Sequence, residues 1–381
     1  MLRHQRELDT SLELDRADPR LHDVLRLGAY QLRWLTRVPS HAAVSTAVDL
    51  ARETVGEAST GYVNRSLRKL SATGYRLSGK TATHPDWLVA RWKSRFGADD
   101  TSRLIEWNDT KPELFIQPAR WDQNTLLERL GDAGIAATAA PFGTGIRLSP
   151  IADSRQPIAK DLPGYSEGAF IVQDPAHALI ARYAAIEPGE FVYDACAAPG
   201  GKAVALEAGG AVQVLAGDAR HERLGRLADT TRRAGVAIRC IAANLEAAPL
   251  RPASVAAVLV DAPCTATGTM RRHPDARWRL NPSVFARAAA RQRALLAAAA
   301  TLVRPGGVLI YATCSLEPEE NELVVEQFLK AHPEFTRSPG RGRPGGPTAP
   351  EELLTPLGDF QSLPQRHGID GAYAARLVRG R

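Results

Sequence analysis

The C-terminal half of the sequence alternates short apolar segments with glycine-rich or polar turns and helical segments, and this alternation constrains the fold most. The apolar segments predict strands, which span residues 191–195, 212–217, 237–242, 255–260 and 308–312. Helices are predicted over residues 221–234, 281–302 and 321–331. This order is typical of a doubly wound α/β fold with a parallel sheet. Ligands of such sheets bind at the carboxyl ends of the strands, so functional side chains are expected there.

The turn after the first predicted strand is a candidate binding loop. Residues 194–202 read Asp-Ala-Cys-Ala-Ala-Pro-Gly-Gly-Lys, and the glycines let the backbone approach a ligand closely at the start of a helix. The spacing does not match a P-loop, because Lys202 is followed by alanine, and it does not match G-x-G-x-x-G. Asp218 closes the second strand, where an acid can accept hydrogen bonds from ribose hydroxyls. Together these features indicate a nucleoside-bearing cofactor.

Two cysteines follow strands at the same predicted edge, Cys264 in Asp-Ala-Pro-Cys and Cys314 in Thr-Cys-Ser. A lone cysteine is most often a small buried apolar residue, but two at one ligand-binding edge favour chemistry. A thiolate that adds to C6 of cytosine makes C5 able to take a methyl group from a sulfonium donor. Asp261 is placed to neutralise charge near N3 of the base. The pattern therefore favours methyl transfer to cytosine C5.

Cysteine usage and hydropathy exclude several other classes of protein. The chain has four cysteines and no C-x-x-C pair, so neither a disulfide framework nor a structural zinc site is predicted. No His, Cys and Asp residues have metal-ligand spacing, so no metal is expected. The apolar stretches are far shorter than a membrane span, and the N-terminus lacks a signal-peptide pattern. We expect a soluble, cytoplasmic protein with no membrane partner.

The N-terminal part of the chain is predicted to be helical and to end in a polar linker over residues 74–83. Apolar residues recur at the helical period over residues 21–35, 41–54 and 61–70. After the linker, helices are predicted over residues 87–96, 101–107 and 124–131, the last of them between short apolar runs. These runs predict a small α+β module.

The net charge of +6 is accompanied by two basic clusters. Residues 271–293 contain seven basic residues and one acid, and residues 65–69 carry three basic residues on one face of a predicted helix. A single basic cluster is often only a solvated face. Two clusters in one chain favour an anionic partner such as RNA. The residues expected to contact RNA phosphates are Arg65, Arg68, Lys69, Arg271 and Arg272.

Three long motifs, in this order, resemble those of the Sun/Fmu-type RNA cytosine-C5 methyltransferases. They are residues 194–202, Asp-Ala-Pro-Cys-Thr-Ala-Thr-Gly-Thr-Met-Arg-Arg-His-Pro-Asp at 261–275, and Tyr-Ala-Thr-Cys-Ser-Leu-Glu-Pro-Glu-Glu-Asn-Glu at 311–322. This resemblance covers about residues 84–381. Three N-terminal segments, at 25–32, 38–44 and 61–68, resemble the NusB-like RNA-binding domain of the branch that methylates bacterial 16S rRNA.

The resemblance implies three domains and a cofactor. A NusB-like helical RNA-binding domain would span residues 1–80, and a small α+β RNA-binding or linker module would span 84–160. A Rossmann-like class I methyltransferase domain would span 165–381 and bind S-adenosylmethionine. The first helices of the NusB-like pattern are missing, so a shortened N-terminal domain is expected. We expect a monomer that acts on 16S rRNA.

The resemblance also implies a role for individual residues. Cys314 would be the nucleophile, Cys264 would assist product release, and Asp261 would lie between the cofactor and the target base. Asp218 would hold the cofactor's ribose. The loop around the methionine part of the cofactor would consist of Cys196, Ala197, Ala198, Pro199, Gly200, Gly201 and Lys202.

The chain departs from the family pattern at Asn244, where an acid usually contacts the adenine side of the cofactor. An amide can still form a hydrogen bond there, so weaker or altered cofactor binding is expected. Two other interpretations stay open at this point: a tRNA cytosine-C5 methyltransferase, which shares the catalytic motifs, and a non-catalytic RNA-binding protein that retains the fold.

Overall fold

The structure, a computed structural model, describes residues 1–73, 83–149, 157–208, 213–338 and 349–381. Nearly all of the predicted linker at 74–83 therefore lies outside the described residues. The chain forms two compact units, one made of Met1–Thr110 and His273–Arg279, the other of Lys111–Arg272 and Leu280–Arg381. The first unit extends beyond the boundary near residue 80 that the sequence predicts, and the three-domain division stays a prediction. None of the helices in the described ranges is long and apolar enough to cross a membrane.

The first unit is built from helices that bury one apolar face each. They are α1 (Gln5–Ser11), α2 (His22–Trp34), α3 (Ser40–Thr54), α4 (Thr60–Thr73), α5 (Asp86–Asp109) and the short α10 (Ala276–Arg279). Helices α2 to α4 match the three helices predicted from the apolar period. Leu8, Leu25 and Leu67 are fully buried in their common core, because the 3.6-residue period places apolar residues of each helix on one side.

Helix α5 bends at Gly97, which has a φ of +82°. Residues with a β-carbon rarely adopt this backbone conformation, so glycine is required at the bend. The bend separates two helical segments, which correspond to the helices predicted over residues 87–96 and 101–107.

Helix α10 contributes a buried cation to the first unit. Arg277 is fully buried and forms an ion pair with Asp109 at 2.8 Å. It also donates hydrogen bonds to the backbone carbonyls of Thr83 and Asn108. These contacts explain why His273–Arg279 group with the first unit.

The second unit contains a small antiparallel sheet. Its strands β1 (Leu114–Pro118), β2 (Ala137–Ala139), β3 (Ile146–Leu148) and β4 (Phe170–Val172) lie in the order β2-β3-β1-β4, and helix α6 spans Gln123–Asp132. Leu126 and Leu130 of α6 pack in one core with Ile116 and Ile146 of the sheet. The predicted helix over 124–131 and the predicted α+β character are thus confirmed for the described residues.

A larger sheet of eight strands forms the rest of the second unit. Its strands are β5 (Phe191–Asp194), β6 (Gln213–Asp218), β7 (Arg239–Ala242), β8 (Val255–Asp261), β9 (Val303–Thr313), β10 (Phe335–Arg337), β11 (Phe360–Ser362) and β12 (Ala372–Arg379). The helices that accompany it are α7 (Pro175–Tyr183), α8 (Gly201–Ala208), α9 (His221–Ala234), α11 (Ser283–Leu302), α12 (Glu322–Ala331) and α13 (Pro364–His367). The five predicted strands overlap β5 to β9, so the predicted doubly wound sheet is confirmed.

The strand order brings the functional loops together. The order is β10-β12-β9-β8-β5-β6-β7, with β11 paired to β12. Strands β5 to β9 are parallel, and β12 is antiparallel to β9. The chain moves outward from β5 to β7 on one side and then returns to β8 on the other. The carboxyl ends of β5 and β8 therefore flank the point where the order reverses, which is where open α/β sheets bind ligands.

The two faces of this sheet carry separate cores, because the side chains of each strand alternate between the faces. Val192, Leu259 and Ile310 belong to one core. Tyr193, Val258 and Leu309, each one residue away along the same strands, belong to the other. Residues buried on both sides of a parallel sheet give the continuous apolar runs that made these strands visible in the sequence.

Candidate active site

The two cysteines expected at the sheet edge lie in direct contact. Cys264 follows β8 and Cys314 follows β9, and these strands are parallel neighbours with Asp261 paired to Ala312. The two Sγ atoms are 3.2 Å apart, both cysteines are free thiols, and both are partly exposed. The sequence prediction that both lie at one edge of the sheet is correct, and the geometry adds that they can share a proton.

The surroundings of Cys264 disfavour loss of its proton. The pKa of Cys264 is raised well above its usual range, first because its thiol is hydrogen-bonded to Cys314 and then because its sulfur is shielded from solvent. The charges of Cys314 and Glu320 raise it further. The surroundings therefore favour the thiol form of Cys264.

An ion pair lies at the same edge of the sheet. The Lys202 ammonium is 2.6 Å from Oδ2 of Asp261, and the Lys202 side chain is 9% exposed. Burial alone would lower the pKa of Lys202, but Asp261, Cys314 and Asp194 together raise it. Lys202 therefore stays charged and forms the counter-ion of Asp261 at the end of β8.

Asp194, at the end of β5, is fully buried, and neither of its oxygens has a hydrogen-bond partner of normal geometry among the described residues. Burial, with help from the charge of Asp261, raises the pKa of Asp194 to about 7, although Lys202 and the Cys196 amide oppose this. An unsatisfied buried carboxyl is costly, so it is expected to have a partner that is absent from the chain itself. The sequence contained this residue in its first motif but gave it no role.

The loop Cys196–Lys202 connects β5 to α8 and is held close to β6. The Ala197 amide donates a hydrogen bond to the Gly217 carbonyl at 2.9 Å. Gly200 has a φ of +108°, a conformation available to glycine. Burial raises the pKa of Cys196 to about 12, with further contributions from Asp194, Asp261 and Asp218. The raised pKa favours the neutral thiol of Cys196, which makes it a poor nucleophile.

The two remaining predicted cofactor residues differ in their surroundings. Asp218 ends β6, is 5% exposed and accepts a hydrogen bond from the Arg220 amide at 2.9 Å through Oδ1. Asn244 follows β7, is exposed, and its Oδ1 accepts a hydrogen bond from the Glu246 amide at 3.3 Å. Both lie at the carboxyl ends of neighbouring strands, as expected.

Sequence reasoning missed Glu320, which lies beside the cysteine loops. Glu320 is fully buried, and its carboxylate accepts hydrogen bonds from Thr265, Gln292 and Ser315. In the sequence it is one of several acids after Cys314, and nothing in their spacing marks it as the buried acceptor.

The residues expected to contact RNA fall into two groups. Arg65, Arg68 and Lys69 are exposed on α4, as predicted. Arg271 is 4% exposed and donates to the Lys111 carbonyl, and Arg272, whose side chain is 26% exposed, forms ion pairs with the buried acids Asp174 and Asp370. Their positions do not fit the expected phosphate contacts, because both guanidinium groups are directed into the second unit. The basic run over 271–293 is therefore not one exposed cationic face.

The strand order and the site together define a class of protein. A mostly parallel sheet with one antiparallel strand near its edge, a glycine-containing loop after β5 and an acid after β6 form a Rossmann-like nucleoside site. This sheet, with two free thiols at the same edge, has the architecture of a Rossmann-like methyltransferase.

Comparisons with known proteins specify the family. The chain matches the family model of 16S rRNA methyltransferase RsmB/F over residues 181–378. It also matches the NusB family over residues 1–72 and the ferredoxin-like domain of RsmF/B-like methyltransferases over residues 84–153. The chain belongs to the RsmB/F family of 16S rRNA methyltransferases, and it is an S-adenosylmethionine-dependent rRNA methyltransferase.

Individual relatives agree with this assignment. The chain is 35% identical to ribosomal RNA small subunit methyltransferase B of Pasteurella multocida, over 94% of this chain and 80% of the relative. It is 33% identical to the protein of the same name from Salmonella typhi, over 94% and 82%. The crystal structure of PH0851 superposes with a TM-score of 0.82 at 25% identity, covering 99% of this chain and 88% of that one. NSun6 from Pyrococcus horikoshii with SFG shares the fold, with a TM-score of 0.65 at 18% identity over 78% and 98%.

Proposed function

We propose that this rRNA methyltransferase methylates C5 of a cytosine in 16S rRNA through a covalent bond between Cys314 and C6 of the base. The observation that carries the proposal is the pair of thiols 3.2 Å apart at the carboxyl edge of the sheet. A single thiol can add to a base, but a second one in contact with it provides a group that can assist the reversal of that addition.

The chain's own residues account for the steps on the base. The Cys314 thiolate forms an S–C6 bond, and the displaced electron pair makes C5 nucleophilic while charge develops at N3. The Asp261 carboxyl, 2.6 Å from the Lys202 ammonium, would deliver a proton to N3 and so neutralise that charge. Bonding of Cys314 to C6 removes the Cys314 charge that raises the pKa of Cys264, so Cys264 would then act as the base that accepts the C5 proton after methyl transfer. β-Elimination breaks the S–C6 bond, and its electron pair returns to Cys314, which leaves as a thiolate. When bound, S-adenosylmethionine supplies the methyl group.

The residues at the ends of β5, β6 and β7 fit this cofactor. The buried, unpartnered carboxyl of Asp194 and the loop Cys196–Lys202 suit an amino-acid moiety that carries its own donors. Asp218 has a second oxygen besides the one bonded to Arg220, and this suits a ribose hydroxyl. Asn244 would face the adenine side.

The proposal for RNA contact uses the first unit. The exposed residues Arg65, Arg68 and Lys69 would contact phosphates, which position an RNA without reading its sequence. The target cytosine would be flipped out of its stack to reach the thiols. We further propose that the enzyme acts as a cytoplasmic monomer, and light scattering coupled to size exclusion would measure its mass in solution.

The covalent step is tested with two cysteine variants and 16S rRNA. Cys314→Ala should abolish methyl transfer and leave cofactor binding intact, because the thiolate acts only on the base. Cys264→Ala should accumulate a protein–RNA adduct that survives denaturing electrophoresis. Cys240→Ala, on β7 and outside these loops, is the matched control and should behave as the parent protein. Full turnover of Cys314→Ala would refute the mechanism, and an adduct in Cys314→Ala would exchange the two roles.

Cofactor placement is tested separately by calorimetry. Asp218→Ala should weaken S-adenosylmethionine binding by roughly 1.5–3 kcal/mol, the range for loss of a hydrogen bond to a charged group. Asp229→Ala removes an exposed carboxylate on α9 and should leave the affinity unchanged. Equal affinity in the parent protein and Asp218→Ala would mean that Asp218 does not hold the ribose.

A further inference from the structure

The residues that follow Cys264 and Cys314 are both hydrogen-bonded to one buried carboxylate, that of Glu320. Glu320 lies in the turn Pro318–Glu320, between β9 and α12, and is fully buried. The Thr265 amide donates to its Oε2 at 2.9 Å, and the Ser315 hydroxyl donates to its Oε1 at 2.7 Å. The Thr265 hydroxyl also donates to Oε1. Thr265 follows Cys264 and Ser315 follows Cys314, so one side chain bridges the two cysteine loops.

Helix α11 and strand β9 fix the position of this carboxylate. Gln292 of α11 donates to Oε2 of Glu320 at 2.9 Å and to the Pro263 carbonyl at 3.0 Å. The Tyr311 hydroxyl of β9 donates to the backbone carbonyl of Glu320 at 2.5 Å. The bridge is therefore anchored from both sides and extends to the residue before Cys264 as well.

We propose that Glu320 is a positioning residue, which holds the sulfur atoms of Cys264 and Cys314 in contact by bridging the residues that follow them. This inference rests on the proposed function, in which both thiols act on the base. Transition-state geometry is sensitive to displacement of the reacting groups, so a bridge that fixes two loops supports turnover directly.

The charge of Glu320 supports the same role. Oε2 of Glu320 accepts from two N–H groups, and Oε1 lies beside two hydroxyls that can donate to it, an arrangement that suits an ionised carboxylate. Burial raises the pKa of Glu320, while the hydrogen bonds from Thr265, Ser315 and Gln292 oppose that rise. Its negative charge also contributes to keeping the proton on Cys264.

Two hydrogen bonds that do not involve Glu320 also link the loops that carry Cys264 and Cys314. The Gly268 amide donates to the Cys314 carbonyl at 3.0 Å, and the Leu316 amide donates to Oγ1 of Thr267 at 2.8 Å. Because these links do not involve Glu320, a variant at this position is expected to retain the fold of the loops and to lose only the tight spacing of the thiols.

The first test separates turnover from binding in three variants. Glu320→Ala should lower kcat roughly 10–100-fold, with KM for rRNA and affinity for S-adenosylmethionine unchanged. Glu320→Gln should recover most of kcat, because its amide can accept from Thr265 and Gln292 and donate to the two hydroxyls, which can reverse their roles. Glu326→Gln removes a carboxylate on α12 and is the matched control, expected to behave as the parent protein.

The second test measures the spacing of the thiols without RNA or cofactor. Diamide oxidises two neighbouring thiols to a disulfide and is itself reduced to the hydrazine, and mass spectrometry follows the loss of two hydrogens. The Cys264–Cys314 disulfide should form fast in the parent protein and several-fold more slowly in Glu320→Ala. Ser315→Ala, which removes only one donor of the bridge, should slow both disulfide formation and turnover and replaces Glu320→Ala if that variant does not fold.

Each outcome decides the inference. The inference would be overturned if Glu320→Ala had the same kcat and the same rate of disulfide formation as the parent protein. Where Ser315→Ala replaces that variant, the same result in Ser315→Ala would overturn the inference. If Glu320→Ala lost both cofactor affinity and kcat, and Glu320→Gln recovered neither, Glu320 would have a general structural role. That outcome would also overturn the inference. Failure of the proposed function is recognised separately, because Cys314→Ala would then retain turnover whatever the Glu320 variants do.

Discussion

At the scale of single residues, the site is governed by carboxyl groups whose burial differs. Asp194 is fully buried and has no hydrogen-bond partner of normal geometry in the part of the chain that the structure describes, Asp261 is paired with Lys202, and Glu320 accepts several hydrogen bonds. The same functional group thus has three different surroundings within one sheet edge. Of the three, Asp194 leads to the clearest expectation for the protein without its cofactor, and this expectation concerns its stability.

Asp194 is expected to make the stability of the unloaded protein decrease as pH rises. Burial raises the pKa of Asp194 to about 7, so between its unfolded value and about 7 the folded state binds more protons than the unfolded state. The free energy of unfolding therefore falls through this window by as much as roughly 1.4 kcal/mol per pH unit, and the cost is fully present above it. Lys202, Asp261 and Asp218 are the charged groups that modulate this titration.

This expectation is checked by urea unfolding of Asp194→Asn at pH 5 and pH 8. The amide cannot ionise, so the variant should gain stability relative to the parent protein, and the gain should be larger at pH 8 than at pH 5. Asp229→Asn, with an exposed side chain on α9, should show nearly the same difference at both values. A gain for Asp194→Asn that does not depend on pH would contradict the raised pKa.

At the scale of elements, the strands and helices were predictable where the signal is local. Apolar runs and glycine turns marked β5 to β9, and the helical period marked α2 to α4, because both patterns depend on neighbours within a few residues. The functions of charged residues were not predictable in the same way. Arg272 pairs with acids 98 residues away along the chain, and Glu320 receives donors from Thr265, 55 residues earlier. Contacts between residues so far apart along the chain cannot be predicted from spacing in the sequence.

Arg272 connects three elements of the second unit. Its guanidinium lies 2.8 Å from Asp174, which caps α7, and 2.6 Å from Asp370, just before β12. It also donates to the Glu113 carbonyl before β1. Burial, with the charge of Asp174, raises the pKa of Asp370 to about 7, although Arg272 opposes this rise. Arg272 is therefore the counter-ion that offsets the cost of burying these two acids.

Removal of this cation should destabilise the fold. Arg272→Gln leaves two buried acids without their counter-ion, and we expect a loss of roughly 3–5 kcal/mol in the free energy of unfolding. Arg279→Gln breaks an exposed ion pair with Asp275 and should cost at most about 1 kcal/mol. Chemical unfolding of both variants measures the difference. If the two variants had equal free energies of unfolding, Arg272 would not be a structural counter-ion and would again be a candidate for contact with RNA.

At the scale of the whole molecule, the corrected placement of the basic residues changes where RNA binding is expected. The sequence assigned phosphate contacts to both basic clusters, but Arg271 is buried and Arg272 is engaged with acids. The cluster on α4 keeps its exposed position on the first unit. Each unit was recognisable from its own motifs, whereas the choice between the two basic clusters required knowledge of which side chains are buried.

Salt dependence of RNA binding tests this choice. Each phosphate contact contributes about 0.7–0.9 to the slope of log affinity against log salt, so the triple change Arg65→Gln, Arg68→Gln and Lys69→Gln should flatten the slope by roughly 2–3. Turnover at saturating rRNA should be retained, because these contacts act only in binding. The matched control changes Arg16, Arg20 and Arg52 to Gln, which removes the same charge from the same unit at positions outside α4. Its slope should equal that of the parent protein. An unchanged slope in the first triple variant, or an equal change in both, would remove the α4 cluster as the RNA-contacting face.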